Sequence, residues 1–311
     1  MFGTLFFFEM KRNDILWKSI LEDIFDDFLK FFFTNAEELF DLGRGFEYLD
    51  KELEQLFPPE GNTYTPRYVD KLVKVYCRSG TEAWLLVHIE VQGYHDNGFE
   101  ERMFTYYYRI WDKYRRPITA FAILTDECKH FLPGQFEQAC LGTSLCFRFN
   151  TFKVLDQSED ELAVSDNPFA QAVLTTKIAL IGKKLSVNEL YRLKIDLAKR
   201  LLNRNIPKWK IGRLMNFLQF YVRLGSEELD EKFDLEIDKV VDQNKIPMTF
   251  EETILMIVKE EGMERGLEKG RLERDTTVVR NLLRETKFTQ REIARLVGVP
   301  AAFVREIKRK L

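Results

Sequence analysis

RYVDKLVKVYC (Arg67 to Cys77) and EAWLLVHIEVQ (Glu82 to Gln92) flank a polar turn at Ser79-Gly80. Both runs are rich in Val, Tyr, Trp and Ile, the residues that suit a pleated, half-buried surface, so together they predict a β-hairpin. Along the second run Leu85, Val87, Ile89 and Val91 share one face, wholly apolar, which has to be packed. Trp84, Leu86, His88, Glu90 and Gln92 share the other, which turns from apolar to polar along its length. A strand with that gradient has one end in a core and the other lining a site.

If the hairpin is centred on Gly80, Asp70 falls directly opposite Glu90, with Cβ atoms on the order of 5 Å apart. Like charges opposed across a sheet destabilise it and require a counter-charge. Two readings satisfy that requirement. In one, the acids sit at a surface edge, compensated by Lys71, Lys74 or Arg67. In the other, they hold a divalent cation such as Mg²⁺, which takes one or two carboxylates together with waters and substrate phosphate. On the second reading, Gln92 has an amide placed to orient a water.

Working outward, an amphipathic helix is predicted from Asp14, as its N-cap, to about Phe33, with Ile15, Ile20, Ile24, Phe28 and Phe31/Phe32 at helical spacing. A short strand is expected near Phe46 to Leu53, and Pro58-Pro59-Glu60-Gly61-Asn62 then breaks the chain. Downstream of the hairpin, a helix from about Phe99 to Tyr114 carries a stripe of Phe99, Met103, Tyr107 and Ile110. ITAFAILTD (Ile118 to Asp126) reads as a buried strand, and LCFRFNTFKVL (145 to 155) as a last one. From Asn167-Pro168 to about residue 255 the pattern is helical, which suggests an all-helical appendage.

Here the residues resemble a known family. Asp70, HIEVQ at 88–92, F-x-x-R-M-F-x-Y-x-x-R-I at 99–110 and AILTD at 122–126 resemble the PD-(D/E)XK nuclease superfamily. Within it, they are similar to the recombination-promoting nuclease, transposase-associated branch, which carries E-x-Q in place of E-x-K. The resemblance covers about residues 10 to 170, and NPFA at 167–170 is similar to that branch as well. It implies an α/β, restriction-endonuclease-like mixed sheet flanked by helices. It also implies Mg²⁺-dependent cleavage of DNA, with Mn²⁺ as a substitute, and Asp70, Glu90 and Gln92 as the site, the two acids being the metal ligands. Glutamine hydrogen-bonds but carries no charge, so Gln92 departs from the wider superfamily pattern.

Arg102 and Tyr106 lie four apart on one helix face, with Arg109 close to the same stripe. They suit phosphate binding and base positioning, or equally a snorkelling arginine and a packed tyrosine. Asp14 and His88 are further residues near such a site, each with an ordinary structural reading. His95 and His130 suggest nothing specific. No Ser-His-Asp order, phosphate loop or HExxH is present.

The 311 residues are 45% hydrophobic, with 47 basic and 50 acidic side chains, so extensive disorder is excluded and no global basic field marks a nucleic-acid binder. Cys77, Cys128, Cys140 and Cys146 have no metal-ligand spacing and predict reduced, buried thiols. The apolar opening MFGTLFFFEMKRND lacks the basic lead and cleavage site of a signal, and no apolar run has the length of a membrane span. These features predict a cytoplasmic protein without membrane contact.

Charge is segregated at the end. Residues 263–311 hold 13 basic and 7 acidic side chains. FTQREIARLVGVPAAFVREIKRKL offers Thr289 as a cap, a helix through Val297, a Gly298 turn and a second helix from Pro300. Ala294, Gly298 and Val304 have helix-turn-helix-like spacing; a helical hairpin for partner docking fits the same pattern.

The expected organisation is a nuclease-like core at 1–165, a helical region at 166–255, a Gly/Glu/Arg linker helix at 256–276 and a helix-turn-helix-like basic tail at 277–311. The function expected is that of a DNA endonuclease in recombination or transposition, dimeric if it cuts both strands. The alternatives are an inactive DNA-binding or assembly protein that keeps the nuclease fold, and a helical interaction protein with an α/β scaffold.

Overall fold

The computed structural model describes residues 2–49, 69–90, 98–128, 130–244, 266, 270, 272–309 and 311, with backbone alone for 2–11, 69–70, 84–90 and 240–244. The protein is mixed α/β with a mainly helical C-terminal half. The described residues fall in two compact units, one reaching through residue 244 and the other holding 266, 270, 272–309 and 311.

The apolar opening contains no proline, and extending a helix costs less than nucleating one. Helix α1 accordingly spans Phe2–Asp23. This corrects the expected start: Asp14 is inside the helix, where it pairs with Lys18 four residues on at 3.4 Å. The chain turns at Ile24 into α2 (Phe25–Phe32), and the short α3 (Ala36–Leu39) follows. Strand β1 is only Glu47–Tyr48, shorter than the run expected there.

A five-stranded sheet has the order β1-β2-β3-β4-β7. Strands β1, β2 (Val69–Tyr76) and β3 (Glu82–Glu90) form an antiparallel meander. Strand β4 (Ile118–Leu124) runs parallel to β3, a pairing that needs a crossover. Helix α4 provides it over Phe99–Tyr114, as the spacing predicted. The single strand expected at 145–155 is two strands. Strands β5 (Gln135–Cys140) and β6 (Thr143–Arg148) make a separate hairpin. Phe149 then donates its N–H to Gly134 O at 3.1 Å, and β7 (Asn150–Lys153) joins the main sheet parallel to β4.

One sheet face is closed by aromatic rings. Phe28 and Phe32 lie 5.4 and 5.0 Å from Phe121 on β4, and Phe31 lies 5.5 Å from Phe152 on β7. Phe169 stands 5.2 Å from Phe28, which brings the helical stretch into the same core. That stretch follows the one-and-a-half-turn α5 (Glu159–Val164) and comprises α6 (Pro168–Gly182), α7 (Val187–Leu202), α8 (Lys208–Tyr221) and α9 (Glu227–Asn244).

The NPFA motif explains the join. Asn167 Oδ1 caps α6 by accepting from Phe169 N at 2.8 Å, while its Nδ2 donates to Asp27 O at 3.0 Å. Trp17 packs 5.4 Å from Phe217 and donates to Tyr221 Oη at 3.3 Å. The helices are therefore part of the core, and the expectation of an appendage is corrected.

In the second unit, residues 272–285 form α10, followed by α11 (Gln290–Val297) and α12 (Ala301–Arg309). Thr289 and Glu292 make a reciprocal capping box, and Gly298 closes α11 at φ 71°, as the sequence indicated. Helix α10 runs unbroken through residue 276, so no break separates an expected linker helix from the tail there.

Candidate functional site

The hairpin turn decides which residues meet. Gly80 has φ 82°, the left-handed conformation that closes a three-residue loop. Cys77 N–H donates to Thr81 O at 2.8 Å, and Gly80 N–H to Cys77 O at 3.0 Å. The loop is thus Arg78-Ser79-Gly80, with its centre at Ser79 and its glycine last. Register follows: Asp70 pairs with His88 and Val69 with Ile89.

The expected direct pairing of Asp70 with Glu90 is corrected by one pair. Glu90 lies two residues beyond His88, so positions 70 and 90 are diagonal neighbours on one face of the ladder, a relation in which Cβ atoms are about 7 Å apart. Gln92 falls outside the described residues, as do Arg67 and His95.

The two lysines proposed to offset an acid pair, Lys71 and Lys74, have other partners. Lys74 is within 3.3 Å of Glu47 and 3.1 Å of Glu82. Lys71 occupies the opposite face from Asp70, is buried, and is paired with Glu22 of α1. The pairing of Lys71 with Glu22 was missed by sequence reasoning, which named Lys71 only as a counter-charge for Asp70 and Glu90 and had no means of bringing α1 under β2.

Across the parallel strands, Glu90 pairs with Leu124, and Leu124 with Lys153. Lys153 is buried, and its ammonium donates to Asp126 Oδ2 at 2.5 Å, Cys128 O at 2.9 Å and Phe131 O at 3.2 Å. All three protons have acceptors, so this lysine ties the segment after β4 to β7 and has no proton left for a substrate. The sequence signal was a lone lysine in an apolar strand, FNTFKVL, matched by an aspartate ending another, AILTD.

Helix α4 starts after Gly98 and buries Phe99, Met103, Tyr106 and Ile110. The expected stripe had Tyr107 in place of Tyr106; Tyr107 instead packs 4.7 Å from Phe147 of the β5–β6 hairpin. With Tyr106 only 7% exposed, base stacking on its ring is excluded. Arg102 is half-buried, with its guanidinium 5.3 Å from the Phe99 ring centre. Arg109 is also half-buried, and on α1 Arg12, Asn13 and Asp14 each bury polar side-chain atoms.

Among the residues whose side chains are described, no group of three or more His, Cys, Asp or Glu is placed to hold a metal; Asp70 and Glu90 are not among those residues. All four cysteines are free thiols, but the expected burial is corrected: Cys77 and Cys128 are half-buried, and Cys140 and Cys146, on the β5–β6 hairpin, are exposed. Among the described residues no helix is long and apolar enough to cross a membrane. No family model, curated protein or solved structure matches the chain.

Proposed function

We propose that the protein is a Mg²⁺-dependent DNA endonuclease with a restriction-endonuclease-like fold, of the PD-(D/E)XK, recombination-promoting and transposase-associated kind. The observation that carries the reading is the diagonal placement of positions 70 and 90 on one face of the central ladder. The order of elements agrees with it: helix, three-strand meander, crossover helix and parallel strand.

The donor set fits the ion. Mg²⁺ binds carboxylate oxygens at about 2 Å and keeps several waters. Two carboxylates from positions about 7 Å apart can approach one such ion from opposite sides without touching each other. When bound, it lowers the pKa of a coordinated water and offsets charge on the phosphodiester. In this reading Asp70 and Glu90 hold the ion, Gln92 orients the attacking water, and Arg102 binds the scissile phosphate. Tyr106 backs Arg102 from the core. Mn²⁺ substitutes for Mg²⁺, and cutting of both strands calls for two copies of the chain.

A second reading keeps DNA binding without turnover. It is favoured by Gln92, which cannot supply the charge of a lysine, and by Lys153, whose protons are all engaged. Cleavage of plasmid DNA that requires the metal and Glu90 separates the two.

A further inference from the structure

The second unit presents a surface that the nuclease reading does not use. Residues 272–311 carry ten basic and five acidic side chains, a net +5 in a chain whose total is -3. Glu292 and Asp275 are among the acids already engaged. Glu292 accepts from Thr289 N at 2.7 Å and Thr289 Oγ1 at 2.8 Å, and the buried Asp275 pairs with Arg274 at 2.8 Å.

The three helices enclose a core of Val279 from α10, Ile293, Ala294 and Val297 from α11, and Val304 and Ile307 from α12. Val299 N–H donates to Ala294 O at 3.0 Å, so the chain reverses tightly between α11 and α12. Burial of Val304 and Ile307 leaves Ala301, Ala302, Arg305, Lys308 and Arg309 exposed, together with Glu306, the one acid of α12. No apolar side chain larger than alanine stands among them. That composition of the α12 face suits a polyanion better than a protein partner; the exposed Phe288, Leu296 and Leu311 of the unit stand outside the helix.

The spacing also has a direction. Two alanines begin the helix and let its backbone come close to a surface, while Arg305 one turn on has the reach and the forked donors to engage a base edge. Separately, Arg284, Lys287, Arg291 and Lys308 line an open cleft of about 790 Å³ beside Phe288. Four cations around one cleft match the charge of a phosphate backbone.

We propose that residues 272–311 form a helix-turn-helix unit that docks on duplex DNA, with α12 entering the major groove and the cleft cations contacting phosphates. B-form DNA is the specified partner, because the major groove of A-form RNA is too deep and narrow for a helix.

The test uses the full chain carrying Glu90→Ala, in EDTA, so that cleavage plays no part and failure of the nuclease reading does not affect the result. Binding to a short fluorescent duplex is followed by anisotropy as salt is raised. The expected results are an affinity that falls with salt, a loss of about 10-fold in Arg305→Ala, and a salt slope lower by about 2 in Lys287→Ala/Arg291→Ala. Duplex RNA competes at least about 10-fold more weakly than DNA. These side chains are exposed, and unchanged circular dichroism shows that each variant folds. The proposal is overturned if the variants bind like the parent, if RNA competes as well as DNA, or if the chain has no DNA affinity and the unit only self-associates.

Discussion

Asp70 is the register partner of His88, and Glu90 lies one pair further along the same face of the β2–β3 ladder. Two carboxylates set diagonally repel less than a directly opposed pair and leave space between them for an ion. Asp70→Asn and Glu90→Gln are each expected to weaken Mn²⁺ binding by more than about 10-fold, the loss that even supporting residues around a metal cause. In the proposed reading one ion depends on both, so the double variant is expected to lose less than the product of the single losses. Titration calorimetry measures this directly; independent, multiplying losses would mean that the two acids do not share an ion.

The register depends on Gly80. A Cβ built there meets nothing within 4 Å, so the whole cost of adding one is the left-handed backbone. Gly80→Ala is expected to destabilise the protein by about 1 kcal/mol, and Gly80→Asn by less, since asparagine tolerates that conformation better. Urea unfolding measures both, with a lower midpoint and an unchanged slope. Equal stability of Gly80→Ala and the parent would contradict the loop geometry.

What the sequence made legible were the elements with a strong period or cap. The bounds of α4 followed from its apolar spacing, and the tail helices from Thr289, Gly298 and Pro300. Position within the hairpin loop was not legible, because one glycine fits the centre of a turn and its last residue equally well, and the choice moves every cross-strand pair. Nor did the run at 145–155 show that it changes partners at Phe149, since both halves alternate alike. The helical region looked detached because a helix buried on all sides, as α6 is, has no polar face to reveal its contacts. The Tyr106 and Tyr107 exchange has the same origin. On a helix both are compatible with one stripe until the β5–β6 hairpin takes Tyr107.

Lys153 and Asp126 are a buried ion pair, and removing one member leaves the other charge without compensation. Lys153→Met is expected to cost about 3 to 5 kcal/mol. Adding Asp126→Asn removes the stranded charge while keeping an acceptor for Cys128 N–H, now 2.8 Å from Asp126 Oδ1, and should restore more than half of the loss. Urea melts of the single and double variants measure it. A double variant less stable than Lys153→Met would show that the charge balance is not the cause.

Lys194 is buried beside Asp230 at 3.6 Å and over the Phe233 ring at 4.2 Å, and it donates to Gln219 O at 3.2 Å. Burial brings its pKa from 10.5 down to about 8, against the opposing pull of Asp230 and Asp234 and with some help from Arg223. Between pH 8 and 10.5 the unfolded chain holds this proton and the folded chain has released it, so stability rises with pH across that window. Below pH 8 both states are protonated and the cost of the buried charge is fully present. Relative to Lys194→Met, in which other titrations cancel, the parent should gain about 3 kcal/mol from pH 7 to pH 11. A difference that stays constant or falls would contradict the burial argument.

In the proposed reading, Asp70 and Glu90 hold the metal on which DNA cleavage depends. This is tested most directly by incubating supercoiled plasmid with the protein in Mg²⁺, Mn²⁺ or EDTA beside Glu90→Ala. Nicked or linear product is expected with either metal, none in EDTA and none from the variant. Cutting by Glu90→Ala at the parent's rate, or an intact plasmid with the parent in both metals, would contradict it.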